Sequence, residues 1–260
     1  MLPFPRRSNG SSGLEPLEIG PFSMAVHPSG NSLFLGSSNG WVVQHYLTSG
    51  MPSPLVSGFQ SGTSSPVRGI AISANGLYAY AANMQPDALS MMHDGLNGLF
   101  QSVPTGGIWP NAVVLSSDGK FLYAPNALTA TVSVASLGPD GTIGPLTMFV
   151  TPLASVADFA LVPSGQFGFA LEFAGNKISR HLMDPATGSS ATAVDVTSVG
   201  AGGRRLRIEP NGRFLYAPSF NGTLYAFSID GASGALTPVP GSPFAAGNGN
   251  VAIAIVEPKP

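Results

Sequence analysis

An all-β fold of repeated four-stranded antiparallel sheets is predicted by a motif that recurs five times in this 260-residue chain. In each copy, a glycine-centred turn is followed four residues later by an aromatic ring. The glycines lie 43 to 47 residues apart, and self-similarity at such a period is typical of a β-propeller with one blade per repeat. The copies are PSGNSLFLG (28–36), ANGLYAYAA (74–82), SDGKFLYAP (117–125), PSGQFGFAL (163–171) and PNGRFLYAP (210–218).

The third repeat shows how one blade is built. Its four short runs, separated by turn residues, are PNAVVLSSDG (110–119), KFLYAPN (120–126), TVSVASL (131–137) and IGPLTMFV (143–150). Four such strands in roughly 45 residues make one propeller blade. The same reading predicts a single domain over 1–260, with blades at about 21–57, 66–104, 108–150, 155–198 and 202–240.

The two ends of the chain each predict one further, loose strand. Residues 11–22 resemble the fourth strand in 232–244, so the chain opens on a fourth strand at 13–20, and it closes on a first strand at 249–258. We therefore expect an irregularly closed ring of five or six blades, or part of a seven-bladed ring.

Composition narrows the functional classes. Charged residues make up 9% of the chain, against roughly 25% in ordinary soluble domains, and the net charge is −2. Because no basic stripe is present to neutralise phosphates, we expect no nucleic-acid partner. With no cysteine and no window of roughly 18 apolar residues, we expect no thiolate metal site and no membrane span. We also expect a monomer without cofactor or metal.

The first residues bear on the compartment. MLPFPRRSNGSSG (1–13) has two arginines but lacks the apolar segment of a secretory signal. The chain as written is thus expected in the cytoplasm, or outside it if a signal peptide precedes this sequence.

One aromatic ring per repeat falls at the same position of the second strand. We interpret these rings as packing between adjacent blades, each of which has an apolar face that it cannot bury alone. The alternative is stacking against a carbohydrate, which requires exposed rings. The set is Phe34, Tyr80, Tyr123, Phe169 and Tyr216.

The repeat resembles that of the lactonase-type seven-bladed propellers, which include bacterial 6-phosphogluconolactonase and carboxymuconate cyclase and are related to YVTN-repeat surface proteins. The resemblance covers nearly the whole chain and is clearest in EPNGRFLYAPSFNGTLYAFSIDGASGALTPVPGSPF (209–244). It implies the propeller fold and a lactone-hydrolysing activity. Because the pattern encodes blade packing, it is a strong signal for fold and a weak one for function.

The resemblance also implies positions for the active residues. Characterised members carry an Arg-His pair at the start of certain first strands and an Asn-Glu pair at the end of a second strand. No blade of this chain has the Arg-His pair. The five Arg positions hold Phe22, Arg68, Asn111, Ala157 and Arg204, and the His positions that follow hold Ser23, Gly69, Ala112, Asp158 and Arg205.

The Asn-Glu pair is altered too. Glu172 occupies the Asn position of the fourth blade, one residue before the Glu position of the family, and a one-residue slip turns a strand side chain to the opposite face unless a bulge restores it. The corresponding positions of the five blades hold Ser37, Asn83, Asn126, Glu172 and Ser219.

Lactone hydrolysis requires a base that activates water and a cation or donor pair for the oxyanion. We therefore predict Glu172 as the catalytic residue, with Arg68, Arg204, Asn111 and Asp158 binding the substrate. The alternative is that the two arginines line a polar channel or pair with Glu172 and Asp158. In RRLR (204–207), we expect ion pairing of the arginines with nearby Glu209.

The four histidines are not predicted to act in catalysis. His27 lies in a turn, and His45, His93 and His181 lie on third strands, which a propeller places away from its channel. Two functional classes follow for the chain. The first is a lactonase acting on a small acidic lactone such as 6-phosphogluconolactone; the second is a non-catalytic propeller whose loops bind a protein or polymer.

Overall fold

The chain is all-β in a computed structural model, with 22 strands and no helix among the residues described. The strands form five antiparallel sheets, which confirms the five four-stranded blades predicted from the repeat. The predicted strand at 13–20 lies outside the described residues except for Gly20, and the described part of 249–258 is not in a strand. The structure describes residues 20–52, 57–62, 64–93, 99–172, 176–200, 202–249 and 253–255.

The chain divides into two compact units, of which the first is Met1–Pro104 and contains two blades. In the first blade, β1, β2 and β3 pair in order; β5 lies on the far side of β3, and β4 pairs with its end. The second blade has the order β6-β7-β8-β9. The strands are β1 Pro21–Val26, β2 Ser32–Ser37, β3 Trp41–Thr48, β4 Met51–Pro52, β5 Ser57–Gln60, β6 Val67–Ile72, β7 Tyr78–Asn83, β8 Ala88–His93 and β9 Leu99–Pro104.

The second unit, Thr105–Pro260, contains the other three blades. Each is a meander of four antiparallel strands, and the last blade has one extra short strand, β22, which pairs with β20. The strands are β10 Val114–Leu115, β11 Phe121–Asn126, β12 Thr131–Leu137, β13 Ile143–Val150, β14 Asp158–Leu161, β15 Phe167–Leu171, β16 Lys177–Met183, β17 Ser190–Ser198, β18 Arg207–Ile208, β19 Phe214–Ser219, β20 Thr223–Ile229, β21 Leu236–Pro238 and β22 Phe244–Ala245.

The repeated glycine has a definite backbone role. In every blade it lies in the turn between the first and second strands with φ between 71° and 75°, a conformation that glycine adopts without steric cost. Its N–H donates to the carbonyl three residues earlier, as Gly30 does to His27 and Gly165 does to Val162. The motif is therefore the turn that starts each second strand.

The aromatic ring of the motif packs in the core, as predicted. Phe34, Tyr80, Tyr123 and Phe169 are each at most 2% exposed, whereas Tyr216 is only partly buried. In the second unit, the Tyr123 ring of one blade lies 5.2 Å from the Phe159 ring of the next. Phe34, Tyr123 and Phe169 lie in apolar clusters that join successive blades, which confirms packing between blades for these three rings.

One apolar cluster lies between the two blades of the first unit, and two clusters lie between successive blades of the second. In the parts of the chain that the structure describes, no helix has the length and hydropathy needed to span a membrane.

Candidate functional site

First-strand residues connect the two blades of the first unit. The Arg68 guanidinium on β6 lies over the Phe22 ring on β1, with its central carbon 4.7 Å from the ring centroid. The Ser23 hydroxyl donates to the Val67 carbonyl at 2.9 Å. Phe22 and Arg68 occupy the same position of successive blades, so this contact lies where the sequence places the first-strand site. A cation–π contact of this kind contributes about 0.5–1 kcal/mol at an exposed site.

Asn111 makes the equivalent connection in the second unit. Its side-chain N–H donates to the Ala157 carbonyl of the next blade at 2.7 Å, and its backbone N–H donates to the Pro125 carbonyl at 2.9 Å. The residue is 7% exposed. The amide that we predicted to bind substrate thus holds two blades together.

Asp158 has three donors and is 1% exposed. Its Oδ1 accepts from its neighbour Phe159 N–H at 3.0 Å. Its Oδ2 accepts from the Leu206 N–H at 2.9 Å and from the Arg207 guanidinium at 3.2 Å, both in the next blade. A buried carboxylate is stable only when it is paired and hydrogen-bonded, and this one is paired with Arg207.

Glu172 has an incomplete set of partners. The residue is 6% exposed, and its Oε1 accepts from the Ala154 N–H at 3.1 Å. Its Oε2 is buried and has no hydrogen-bond partner among the described residues. Ala154, which provides this N–H, is itself exposed. A buried polar atom without a partner in a native protein requires an explanation, and a catalytic role is one.

In two other blades, the position equivalent to Glu172 holds an asparagine whose side chain makes hydrogen bonds within the blade. In the first unit, the Asn83 amide donates to the Ser90 hydroxyl at 2.6 Å. In the second unit, the Asn126 amide donates to the Ser133 hydroxyl at 3.0 Å. The serine lies seven residues after the asparagine in both blades. At this position an amide therefore connects the second strand to the third.

The fourth blade lacks this connection. Ser179 is the matching serine, but its hydroxyl lies 2.8 Å from His181 Nε2. His181 Nδ1 lies 3.0 Å from the Ser190 hydroxyl, and the histidine is fully buried. Burial lowers the pKa of His181 to about 4, so the ring is neutral at pH 7. A neutral Ser-His-Ser network thus replaces the amide, and Glu172 stands beside it without a side-chain partner among the described residues.

Glu172 and Asn111 lie at the same edge of the second unit. The Ala157 N–H donates to the carbonyl of Leu171, the residue before Glu172, at 2.7 Å. Ala157 also accepts the Asn111 amide. The starts of first strands and the ends of second strands therefore meet at this edge, which we call the strand-start edge.

Two arginines lie at the strand-start edge. Arg204 is exposed, and Arg205 is partly buried with its Nη1 3.5 Å from the Asn111 carbonyl, which joins the third and fifth blades. The predicted pairing with Glu209 is not seen in the described residues: Glu209 lies 3.5 Å from Arg213, and Arg207 pairs with Asp158. The sequence did not predict Arg205 as a residue of this edge. Its side chain crosses between blades, which strand alternation within one blade cannot reveal.

The predicted site residues are divided between the units. Arg68 belongs to the first unit, while Glu172, Arg204, Asn111 and Asp158 belong to the second. The convergence of Arg68 with Glu172 and Arg204 on one point stays a prediction.

The histidines lie where the sequence predicts. His45, His93 and His181 are on the third strands β3, β8 and β16, and the His27 ring lies 3.1 Å from the Gly76 carbonyl in a turn of the first unit. Among the described residues, no group of three His, Asp or Glu side chains could hold a metal ion.

Comparisons with known proteins give one sequence relative. The chain is 28% identical over 134 residues to a 6-phosphogluconolactonase of Pectobacterium carotovorum subsp. carotovorum (strain PC1), a match that covers 50% of this chain and 40% of the relative. The matched region thus spans well under half of the relative's length. No family model matches the chain.

Solved structures share the fold. The periplasmic gluconolactonase of Pseudomonas aeruginosa matches with a TM-score of 0.70 and 20% identity over 86% of this chain and 74% of that one. The propeller domain of Swd1 from Myceliophteria thermophila matches with a TM-score of 0.67 and 14% identity over 84% and 70%. The protein is therefore a β-propeller. The chain is thus similar in sequence to one lactonase and in fold to another, in agreement with the resemblance of its repeat.

Proposed function

We propose that the chain hydrolyses the cyclic ester of a sugar acid, a lactone such as 6-phosphogluconolactone, with Glu172 as the general base. The observation that carries this proposal is the buried Glu172 Oε2 without a partner, at a position where Asn83 and Asn126 make structural hydrogen bonds. The similarity to a 6-phosphogluconolactonase supports the substrate class.

The proposed reaction uses the two carboxylate oxygens differently. The Ala154 N–H holds Oε1, which leaves Oε2 to accept a proton from water as the water oxygen adds to the lactone carbonyl. The tetrahedral oxyanion then collapses, the ring C–O bond breaks, and the leaving alkoxide takes the proton from Glu172. The product is the open-chain hydroxy acid, and the carboxylate is restored.

We assign the arginines to the negative charges of this reaction. Arg204, exposed at the strand-start edge, is proposed to bind the substrate's phosphate. The substrate-binding role of Arg68, which belongs to the first unit, stays a prediction. Arg205 is proposed to stabilise the oxyanion, because it is partly buried at the same edge. Asn111 and Asp158 are proposed to position the first strands, since their side chains already bind the next blade.

The test is a pH-stat assay of lactone opening with 6-phosphogluconolactone and δ-gluconolactone, corrected for spontaneous hydrolysis. Glu172→Gln is expected to lower kcat by about 10²-fold or more, the usual contribution of a general base. Glu209→Gln is the control, because Glu209 is another glutamate of the second unit, is partly buried and pairs with Arg213. An unchanged rate in Glu172→Gln would remove Glu172 from the mechanism.

The second candidate is a non-catalytic binding module. It is favoured by the use of Asn111 and Asp158 in contacts between blades and by the fold shared with the Swd1 propeller domain. The fourth blade also exposes apolar side chains on its outer strands, namely Leu182, Val194 and Val196 at 43–50%. Absence of hydrolysis for both lactones, together with capture of a macromolecule that charged substitutions at Val194 and Val196 abolish, would favour this candidate.

A further inference from the structure

Successive blades within each unit are joined by a recurring pair of residues, the motif ring of one blade and a first-strand side chain of the next. The first-strand residue lies six residues before the glycine of its own motif. It shares an apolar cluster with the ring of the preceding blade, as Ile70 does with Phe34, Phe159 with Tyr123 and Leu206 with Phe169. A blade thus presents a first-strand side chain to the blade before it and a ring to the blade after it.

Met24 holds this first-strand position in the first blade, and it is exposed. The residues at the equivalent position of the other four blades are at most 8% exposed, whereas Met24 is 65% exposed. Val26, on the same side of β1, is 55% exposed. Their register partners on β2, Leu35 and Leu33, lie directly beside them and are only partly buried. These four side chains form the Met24 face; the opposite side of β1 packs on the second blade through Ala25.

Tyr216 is the motif ring of the fifth blade, and it is less buried than the other four rings. Leu215 and Ala217, on either side of it in β19, join the apolar cluster shared with the fourth blade. Because side chains alternate along a strand, Tyr216 points away from that blade. Phe214 on β19 and Leu224 on β20 lie on the same side as Tyr216, and all three are only partly buried. We call this surface the Tyr216 face.

We propose that the Met24 face of one copy of the chain packs on the Tyr216 face of a second copy. The two faces are the two halves of the pair that joins successive blades, an apolar first-strand side chain and a ring. Met24 is exposed in the same chain that carries Tyr216, so both faces are open to another copy. The positive charge beside the ring is already neutralised, because Arg207, the register partner of Tyr216, pairs with Asp158. The inference is independent of lactone hydrolysis.

The proposed contact is heterologous, since it uses two different faces. Each copy that joins keeps one face open, so association continues into a closed ring or a filament. Interfaces between packed segments of a chain bury about 600–1,500 Å² and resemble transient protein–protein interfaces. We therefore expect a dissociation constant on the order of 10 μM.

The test is sedimentation velocity of the full chain from about 1 to about 100 μM, a range that brackets this constant. The wild-type mass should rise with concentration above that of one chain. Met24→Asp and Tyr216→Asp should each weaken association at least about tenfold, because the contact would bury an unpaired charge. Met51→Asp is the matched control: Met51 is a 70% exposed methionine of the same blade, outside the Met24 face, and its variant should associate as wild type does.

A mixture of Met24→Asp and Tyr216→Asp tests the pairing of the two faces directly. Each variant retains the face that the other has lost, so the mixture should form one-to-one dimers and nothing larger. Thermal melts of each variant show whether it is folded. Cysteine variants give a second measurement, since the chain has no cysteine. Met24→Cys mixed with Tyr216→Cys should form a disulfide-linked dimer on mild oxidation, whereas Met51→Cys mixed with Tyr216→Cys should not.

Three results would overturn the proposal. The first is a wild-type mass that stays at one chain throughout, the monomer expected from the sequence alone. The second is a mixture of the two folded aspartate variants that forms no dimer. The third is a double variant, Met24→Cys with Tyr216→Cys, whose disulfide forms within one chain. If an aspartate variant does not fold, the cysteine variants decide: cross-linking no greater than that of the Met51→Cys control rejects the contact.

Discussion

The Asp158 carboxylate on β14 lies 3.2 Å from the Arg207 guanidinium on β18, and the same oxygen accepts the Leu206 N–H at 2.9 Å. One buried oxygen thus holds two successive blades through both an ion pair and a backbone hydrogen bond. Asp158 is fully enclosed, whereas the Arg207 side chain is 45% exposed. Removal of Asp158 and removal of Arg207 are therefore expected to lower the free energy of unfolding by different amounts.

Asp158→Ala is expected to lower the free energy of unfolding by about 3 kcal/mol, because the Leu206 N–H loses its acceptor in a buried site. Arg207→Ala is expected to cost less, about 1 kcal/mol, because Asp158 keeps the Phe159 and Leu206 N–H donors and the half-exposed guanidinium is screened by solvent. Urea unfolding of both variants and of the double variant measures the coupling. Equal losses in the two single variants would contradict this assignment.

The stability of the chain should fall in mild acid because of His181. Burial lowers the pKa of His181 in the folded state to about 4, below the ordinary histidine value of 6.5, so the unfolded state binds a proton first as the pH falls. The contribution of the buried, neutral His181 to the free energy of unfolding is fully present above pH 6.5. It is lost as the pH falls from about 6.5 to about 4, and the total loss is about 3 kcal/mol.

His181→Gln tests this, since glutamine has no titration in that range. Urea midpoints between pH 7 and pH 4.5 should decline more steeply in wild type than in the variant. Parallel declines would mean that other groups cause the loss. Asp184 does not interfere with this test. Hydrogen bonds from Ala186 and Thr187 lower the pKa of its exposed carboxyl, so its protonation affects stability only at a pH below the range in which His181 acts.

Glu172→Asn should stabilise the fold by about 1 kcal/mol while abolishing lactone opening. Asparagine at this position donates to a third-strand serine in two other blades, and here Ser179 is available to accept. Residues that serve catalysis often carry such a stability cost. Thermal melts and the pH-stat assay check the two effects together. Glu172→Asp keeps the charge and should give no gain; a destabilised Glu172→Asn would show that the carboxylate is structural.

Gly168→Ala should destabilise the second unit by about 2 kcal/mol. A Cβ there would overlap the buried Phe159 ring and lie 2.9 Å from the Met183 sulfur. Gly231→Ala is the matched control: nothing lies within 4 Å of its Cβ, so the change should be neutral or stabilising by about 0.5 kcal/mol. Denaturant melts that rank the two variants in the opposite order would contradict this packing.

The sequence predicts the blades well because each blade is coded locally. The glycine of the motif needs a positive φ, and the ring that follows fills the space between blades. The site is harder to predict from the sequence than the blades are, because its contacts join residues far apart in sequence. Asn111 and Ala157 are 46 residues apart, and Arg205 and Asn111 are 94 apart.

In three places, a first-strand side chain recognises the backbone of the following blade. Ser23 donates to the Val67 carbonyl, Asn111 donates to the Ala157 carbonyl, and Asp158 accepts the Leu206 N–H. Because every residue offers these backbone groups except for the proline N–H, the blades that Ser23 and Asn111 contact can change their side chains without a compensating substitution in the donor. Asp158 also requires the side chain of Arg207. Blades joined in this way can be duplicated or exchanged during evolution while their mutual recognition is inherited intact.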